Sequence, residues 1–262
     1  MMNLLLCSLL IVLPGQTPPK DGLPGTPATR LATMKKAMAA VEMRSAGPRA
    51  EPYRLKPEPV LRYTNTVGDS RDGSIFLWLG DGDRPEAAVQ VFKTRYPWMQ
   101  EWTSLSSAPL IAKMPDGPAW KPSRGGVELK PVSGAPKPAG TATERLRQMH
   151  TLASDFSVRD RFRGVWQPLR MLSNPLARYG KPGSEVVDGA LFAFVITTDP
   201  EAWLMLEART TKNGLEWQYA FAPMSGYPLE ASWKKRVVWS QVALPQNRWD
   251  LPFYELVFEP KE

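Results

Sequence analysis

Two stretches of the chain carry apolar residues at helical spacing. In both, the apolar positions recur at i, i+3, i+7 and i+10: Leu31, Met34, Met38 and Val41 in the first, and Leu146, Met149, Ala153 and Phe156 in the second. Residues spaced in this way lie on one face of an α-helix. The pattern predicts one amphipathic helix in each half of the chain.

Extended segments follow each predicted helix. PYRLKPEPVLRY and PLRMLSNPLARY contain prolines, which favour an edge position in a sheet. The next segments, DGSIFLWL and DGALFAFVI, are apolar at consecutive positions, which is typical of strands that are buried on both faces. After a turn, the first half continues with EAAVQVF and then EWTSLSSA. The second half continues with EAWLMLEA and then EWQYAFA. Each half therefore predicts a meander of antiparallel strands.

The two halves also match residue by residue. At an offset of 116 the shared residues are Arg54, Pro59, Arg62, Tyr63, Asp72, Gly73 and Phe76, which recur as Arg170, Pro175, Arg178, Tyr179, Asp188, Gly189 and Phe192. Beyond the turn the offset is 115, and Pro85, Glu86, Ala87, Glu101 and Trp102 recur as Pro200, Glu201, Ala202, Glu216 and Trp217. These identities predict an internal duplication.

We therefore expect an α+β fold of two tandem helix-plus-antiparallel-meander repeats, packed as one pseudo-two-fold core. The central strands need a cover on both faces, because a large exposed apolar face is rare in a soluble domain. The predicted boundaries are 28–122 for the first repeat, 123–142 for a linker with a candidate closing strand, and 143–262 for the second repeat. FYELVFEP is a candidate closing strand at the end of the chain.

The first residues resemble a secretory signal. An apolar run from Leu4 to Leu13 is followed by Pro14, Gly15 and a polar segment rich in proline, and the run is too short to cross a bilayer. We expect residues 1–16 to be a signal peptide and 17–27 a disordered leader, so that the protein is exported without a transmembrane anchor. The mature chain would then contain no cysteine, since Cys7 is the only one.

Composition excludes most familiar catalytic sites. With one Cys and one His, the chain can form neither a disulfide framework nor a common zinc site. We expect no metal and no cofactor, while an oxygen-ligated Ca²⁺ or Mg²⁺ site stays open as an alternative. His150 is the only imidazole, and Lys35 takes the equivalent position in the first half, so we expect a structural role for His150. No P-loop, Rossmann glycine pattern, GxSxG or EF-hand loop is present.

Carboxylates remain as candidate catalytic groups. Asp72 and Asp188 form one equivalent pair and Glu101 and Glu216 another, and glycoside hydrolysis requires two carboxyl groups about 5 to 10 Å apart. Asp-Gly before a strand is more often a turn. We expect Glu101 and Glu216 to form cross-strand ion pairs with Arg62 and Arg178.

The net charge of +7 is concentrated in the helices, their flanks and the linker. A solvated basic surface is the simplest interpretation, and an anionic polymer or a membrane surface is the alternative. Nucleic acid is not expected as a partner, because no known binding motif is present.

DGALFAFV followed by DPEAWLMLEA, with the preceding proline-containing RY strand, resembles an uncharacterised family of exported bacterial proteins. The resemblance covers most of the mature chain. Its motifs are packing and turn signatures, so it implies no catalytic residue.

Two functions are consistent with the sequence. We expect an exported, non-catalytic binding or structural module that binds a small apolar ligand, a glycan or another envelope protein. The aromatic candidates for such a site are Tyr63, Trp102, Tyr179 and Trp217, although the same residues suit a core. The alternative is a carboxylate-dependent hydrolase of the cell envelope, for example one that acts on glycans.

Export predicts a mature protein whose N-terminus lies between about residues 13 and 20. Mass spectrometry of the protein recovered from its native compartment measures that terminus. Recovery of the chain with Met1 intact from the cytoplasm would contradict export.

Overall fold

The computed structural model describes residues 22–47, 50–65, 71–115 and 118–260. The predicted signal peptide, residues 1–16, lies outside these ranges, as does the first part of the predicted leader. In the described part of the leader, Leu23 is buried and Thr26 caps the first helix, so this segment packs on the fold.

The described residues form two α-helices, one short 3₁₀ turn at Asp81–Asp83 and seventeen strands. The helices are α1 (Pro27–Ala39) and α2 (Ala142–Ser154). The strands before α2 are β1 (Glu42–Ser45), β2 (Arg54–Leu55), β3 (Leu61–Tyr63), β4 (Asp72–Leu79), β5 (Pro85–Lys93), β6 (Trp98–Ser104), β7 (Leu110–Lys113) and β8 (Lys130–Pro131). The strands after α2 are β9 (Phe156–Phe162), β10 (Val165–Met171), β11 (Ala177–Tyr179), β12 (Val186–Ile196), β13 (Asp199–Thr211), β14 (Gly214–Pro223), β15 (Leu229–Trp233), β16 (Arg236–Gln241) and β17 (Phe253–Phe258).

Three antiparallel sheets contain these strands. The largest has the order β16-β15-β9-β10-β12-β13-β14-β8, with β11 also paired to β12. The second has the order β17-β6-β5-β4-β2, with β3 also paired to β4, and the third contains β1 and β7. The strand pairs in these sheets are antiparallel, which confirms the predicted antiparallel sheet.

The predicted α+β class of two tandem helix repeats is wrong. Strands take 47% of the described residues and helices 13%, so the fold is mostly β, with a curled antiparallel sheet. The apolar patterns that predict the two helices also extend beyond the helices themselves. Val41 follows the end of α1, and Phe156 is the first residue of β9. The difference arises mainly from hairpins that the apolar pattern did not show, namely β9 with β10 and β15 with β16.

A buried carboxylate holds the start of each helix against its sheet. Asp188 accepts from Arg145 of α2, with Nε at 2.9 Å, and from Arg178 of β11, with Nη2 at 2.8 Å. Arg145 also donates to the carbonyl oxygen of Gly140, just before the helix begins. One carboxylate thereby fixes a helix, a strand and a loop through charge-assisted hydrogen bonds.

The first half contains the same arrangement. Asp72 accepts from Arg30 of α1, with Nε at 2.6 Å, and from Arg62 of β3 at 3.0 Å, while Arg30 also donates to the carbonyl oxygen of Gly25. In both halves the aspartate and the helical arginine are almost completely buried.

The apolar core has three parts. Phe76 and Trp78 of β4 face α1, and Phe192 and Phe194 of β12 face α2. The opposite faces of β4 and β12 share a third part, which contains residues of both large sheets: Ile75, Leu77, Leu79, Leu191, Ala193, Val195, Trp203 and Met205. The alternation of side chains along β4 and β12 therefore places each strand between two apolar layers.

Each large sheet ends in a strand from the other half of the chain. β8, from the predicted linker, pairs with β14, whereas β17 at the end of the chain pairs with β6. A buried ion pair between Arg84 Nε and Glu207 Oε1, 2.9 Å apart, also joins the two halves. None of the helices among the described residues is both long and apolar enough to span a membrane.

Asp188→Asn should lower the free energy of unfolding by about 3 to 5 kcal/mol, because it leaves the buried Arg145 without its counter-charge. Urea denaturation followed by circular dichroism measures the loss. Asp250→Asn is a suitable control, since Asp250 binds Arg248 at the surface, and it should leave the free energy of unfolding nearly unchanged. A similar small cost for both variants would contradict the central role of Asp188.

Candidate functional site

The four aromatic residues predicted for binding are all buried. Trp102 lies in the core beside α1, Trp217 in the core beside α2, and Tyr179 in the core shared by the two sheets. With Tyr63 included, none exposes more than 4% of its surface. In this conformation a ligand has no direct access to them, and their role in binding stays a prediction.

Tyr63 and Tyr179 have a visible structural role. Each pairs with a glycine on the neighbouring strand, Tyr63 with Gly73 and Tyr179 with Gly189. A Cβ atom on Gly73 would lie 2.2 Å from Cζ of Tyr63, and one on Gly189 would lie 2.5 Å from Cε2 of Tyr179. Glycine is required at both positions because the tyrosine ring lies directly on the backbone.

The predicted carboxylate pairs are arranged differently from our expectation. Asp72 and Asp188 lie in strands and bind arginines rather than forming turns. Among the described residues, the cross-strand pairs expected for Arg62 with Glu101 and for Arg178 with Glu216 do not form, because both arginines bind the aspartates. His150 lies on α2 with its ring edge-on to Phe192, at a centroid distance of 5.6 Å.

Glu101 belongs to an acidic cluster at the junction of the two large sheets, which we define as Glu101, Asp199, Glu201 and Glu255. Asp199 and Glu201 are buried, whereas Glu101 and Glu255 are half-buried. Gln90 Nε2 donates to Asp199 Oδ1 at 2.9 Å and to Glu101 Oε2 at 3.3 Å. Glu255 lies directly opposite Glu101 on the neighbouring strand. The two halves of the chain thus bring acidic groups together, and Asn65 Nδ2 also donates to Asp199 Oδ2 at 3.2 Å.

Burial raises the pKa of two members of the acidic cluster well above the ordinary value of a glutamate. For Glu101 the second cause is the charge of Glu255, followed by Asp199, and for Glu201 it is the charge of Asp199. Burial, followed by the charge of Asp199, likewise raises the pKa of Tyr63. A protonated carboxyl group beside a carboxylate is the electrostatic arrangement that acid–base chemistry uses.

The acidic cluster does not have the geometry of a metal site. Within the described ranges, no three His, Cys, Asp or Glu side chains converge closely enough to hold a metal ion. The cluster also contributes no residue to the surface groove described next.

A groove of about 540 Å³ opens at the edge of the largest sheet. Residues 237–241 of β16 line one wall, and Arg124, Gly126, Glu128 and Lys130 line the other. A smaller extension of about 270 Å³ shares both walls and adds Tyr219 and Phe221 of β14 as its floor. The groove therefore lies between β16 and the segment that leads into β8, the two ends of the curled sheet.

The floor of the groove is aromatic and its rim is charged. The Trp239 ring stacks on Phe221 with a centroid distance of 5.6 Å and an interplanar angle of 24°. Lys130 Nζ lies 3.5 Å from Glu128 Oε2, whereas no carboxylate among the described residues pairs with Arg124.

The wall at residues 124–130 is held close to the end of β6. Gly126 donates its N–H to the carbonyl oxygen of Ser106 at 2.8 Å, and a Cβ atom on Gly126 would lie 1.9 Å from the carbonyl oxygen of Ser104. Only glycine permits this approach, so the sequence SRGGVELK positions the wall.

Sequence reasoning did not find the groove. The sequence predicts a linker at residues 123–142 with a candidate closing strand, GVELKPV, within which β8 forms, and it predicts no element at residues 236–241. The only local signal was the β-branched and aromatic run in RVVWSQ, which is typical of a strand. These two segments are far apart in sequence, and no pattern in either segment predicts that they lie side by side in the fold.

Comparison of this chain with protein family models, curated proteins and solved structures found no match.

Asp160 provides a test of the electrostatics near the acidic cluster. It is fully buried on β9, and burial raises its pKa to about 6. Because this pKa is raised in the folded state, the protonated form stabilises the fold below about pH 4, and that stabilisation is lost as the pH rises through about 6.

Asp160→Asn should therefore gain stability relative to the wild type as the pH rises from about 4 to about 7, by up to about 3 kcal/mol. Urea denaturation at several pH values measures the difference. Asp81→Asn, at an exposed position, should show a nearly constant difference from the wild type. A constant difference for Asp160→Asn as well would show that its pKa is not raised by folding.

Proposed function

We propose that the protein is an exported, non-catalytic module that binds an extended peptide segment of a partner protein in the groove between β16 and residues 124–130. The observation that carries this proposal is that five consecutive residues of an edge strand, 237–241, line the groove. Export itself rests on the apolar N-terminal run and the polar leader behind it.

The consecutive lining indicates that the backbone edge of β16 faces the groove. Side chains alternate between the two faces of a strand, so a groove along one face would contact every second residue. Among the described residues, β16 pairs with β15 alone. Its other edge offers backbone donors and acceptors, which an extended peptide can pair with by strand addition.

The opposite wall complements this edge. Arg124, Gly126, Glu128 and Lys130 line this wall, and Gly125 and Val127 join them in the smaller extension, so the wall presents charged side chains together with glycine backbone. A peptide between the two walls would meet backbone groups on one side and side chains on the other. Such a combination gives affinity through the main chain and specificity through the side chains.

The chemistry of the peptide follows from the floor and the rim. Trp239 and Phe221 favour an apolar or aromatic side chain, because stacking and burial of aromatic surface are both stabilising. Arg124 favours an acidic side chain at the rim. We therefore infer a peptide with alternating apolar and polar residues and one carboxylate near its end.

The alternative, a carboxylate-dependent hydrolase, is supported by the raised pKa values of Glu101 and Glu201. The groove does not support it, since neither part of the groove includes a member of the acidic cluster. A glycan or a small apolar ligand would use the aromatic floor but not the free edge of β16. The peptide accounts for both.

The proposal predicts that a library of random linear peptides displayed on phage, selected against the folded protein, yields binders of this alternating type. Trp239→Ala should weaken a selected synthetic peptide about 30-fold, because a buried aromatic contact at the centre of an interface is worth roughly 2 kcal/mol. Hydrogen exchange should slow at the amides of residues 237–241 when that peptide binds.

Trp249→Ala is the matched control, since Trp249 is exposed but lies outside the groove. Arg124→Ala, at an exposed position, is a second test in case Trp239→Ala does not fold, and it should weaken the same peptide. The proposal fails if no peptide is enriched over an unrelated protein, or if binding is insensitive to both groove variants.

A further inference from the structure

The β9–β10 hairpin ends in a two-residue turn that presents a cation at its apex. Phe162 pairs with Val165, and Arg163 and Gly164 between them have φ values of 48° and 85°. Positive φ at two successive turn residues is typical of a tight hairpin, where Asn-Gly is the preferred sequence. An arginine in the left-handed region costs about 1 kcal/mol, and here it places a cation at the apex of the turn.

Apolar side chains surround this apex, which we call the hairpin tip (residues 161–166 with Tyr227). Val165 is 68% exposed, Tyr227 43% and Trp166 38%. Tyr227 packs edge-on against Phe162 with a centroid distance of 5.1 Å. Exposed side chains of this size, gathered at one hairpin turn and on the Tyr227 ring beside it, mark an interaction site.

Arginines flank the apolar side chains on the same hairpin. Arg161 pairs with Trp166 across the strands and donates from Nε to the carbonyl oxygen of Gly164 at 3.0 Å. The guanidinium groups of Arg163 and Arg159 lie 5.0 Å from the Phe162 ring and 4.6 Å from the Trp166 ring. Arg159 also binds Glu230, whereas no carboxylate of the described residues pairs with Arg161 or Arg163.

We propose that the hairpin tip docks on a membrane surface that contains anionic lipids. Tryptophan and tyrosine are suited to the boundary between headgroups and acyl chains, because each has an apolar body and a polar atom. The uncompensated arginines complement anionic headgroups, while Val165 can enter the apolar layer. A soluble anionic polymer would use the arginines but would leave Val165 and Trp166 exposed to water.

Co-sedimentation with vesicles tests the proposal. The protein should bind vesicles of phosphatidylglycerol and phosphatidylcholine in equal parts, and should not bind pure phosphatidylcholine. Arg161→Gln combined with Arg163→Gln should weaken binding about 30-fold at low salt. Trp166→Ala should weaken it about tenfold.

Two controls separate docking at the hairpin tip from general attraction. Lys234→Gln with Lys235→Gln removes two cations from another hairpin turn, between β15 and β16, and should change binding less than threefold. Trp249→Ala removes a tryptophan that is 46% exposed, but its neighbour Arg248 is already paired with Asp250 at 2.7 Å. This substitution should leave vesicle binding unchanged. Equal losses for the tip variants and these controls would overturn the proposal.

Insertion of the hairpin tip is measured directly with an environment-sensitive dye. In a chain with Cys7→Ser, the dye is attached at Val165→Cys or, for comparison, at Val242→Cys, whose side chain is exposed far from this turn in sequence. Anionic vesicles should shift the emission to shorter wavelength only for the label at position 165, and heparin should shift neither. Binding to vesicles without that shift, or an equal response to heparin, would show that the surface is an anionic polymer site rather than a membrane site.

Discussion

The buried contact between one aspartate and two arginines is the interaction on which the remaining structure depends. Asp188 lies in a central strand, Arg145 in the first turns of α2 and Arg178 in a short edge strand, so three elements converge on two carboxylate oxygens. Removing these charges from water is unfavourable unless each is paired. The requirement for complete pairing therefore fixes where the helix begins on the sheet, and with it which apolar residues face α2. Asp72 imposes the same constraint on α1.

With the helices fixed in this way, each central strand has one face left to cover, and the two sheets cover each other. Leu77 of β4 and Leu191 of β12 belong to the same apolar layer, and Arg84 and Glu207 form a buried ion pair beside it. The acidic cluster lies at this junction as well, where Gln90 of one sheet binds Asp199 of the other. Polar groups at the junction therefore fix how the two sheets are aligned, while the apolar layer supplies most of the stability.

The sequence predicted features that depend on local spacing and missed those that depend on distant partners. Met34 with Met38, and Met149 with Ala153, reveal α1 and α2 because helical spacing is a local property. The buried strands β4 and β12 were apparent from their continuous apolar residues. The strand pattern predicts an ion pair between Arg62 and Glu101, but Arg62 binds Asp72 instead. The position of Arg30, which brings α1 to Asp72, cannot be predicted from the strand pattern. The groove requires residues 124–130 to meet residues 237–241, and neither segment carries a signal for the other.

The exchange of closing strands between the two halves has a consequence for how the chain acquires its structure. Phe253 pairs with Thr103, which precedes it by about 150 residues, so the sheet of the first half is complete only after β17 has been synthesised. Until then β6 keeps an unpaired edge that can associate with other chains. A chain that crosses a membrane unfolded and folds afterwards, with both halves present from the start, does not pass through this stage.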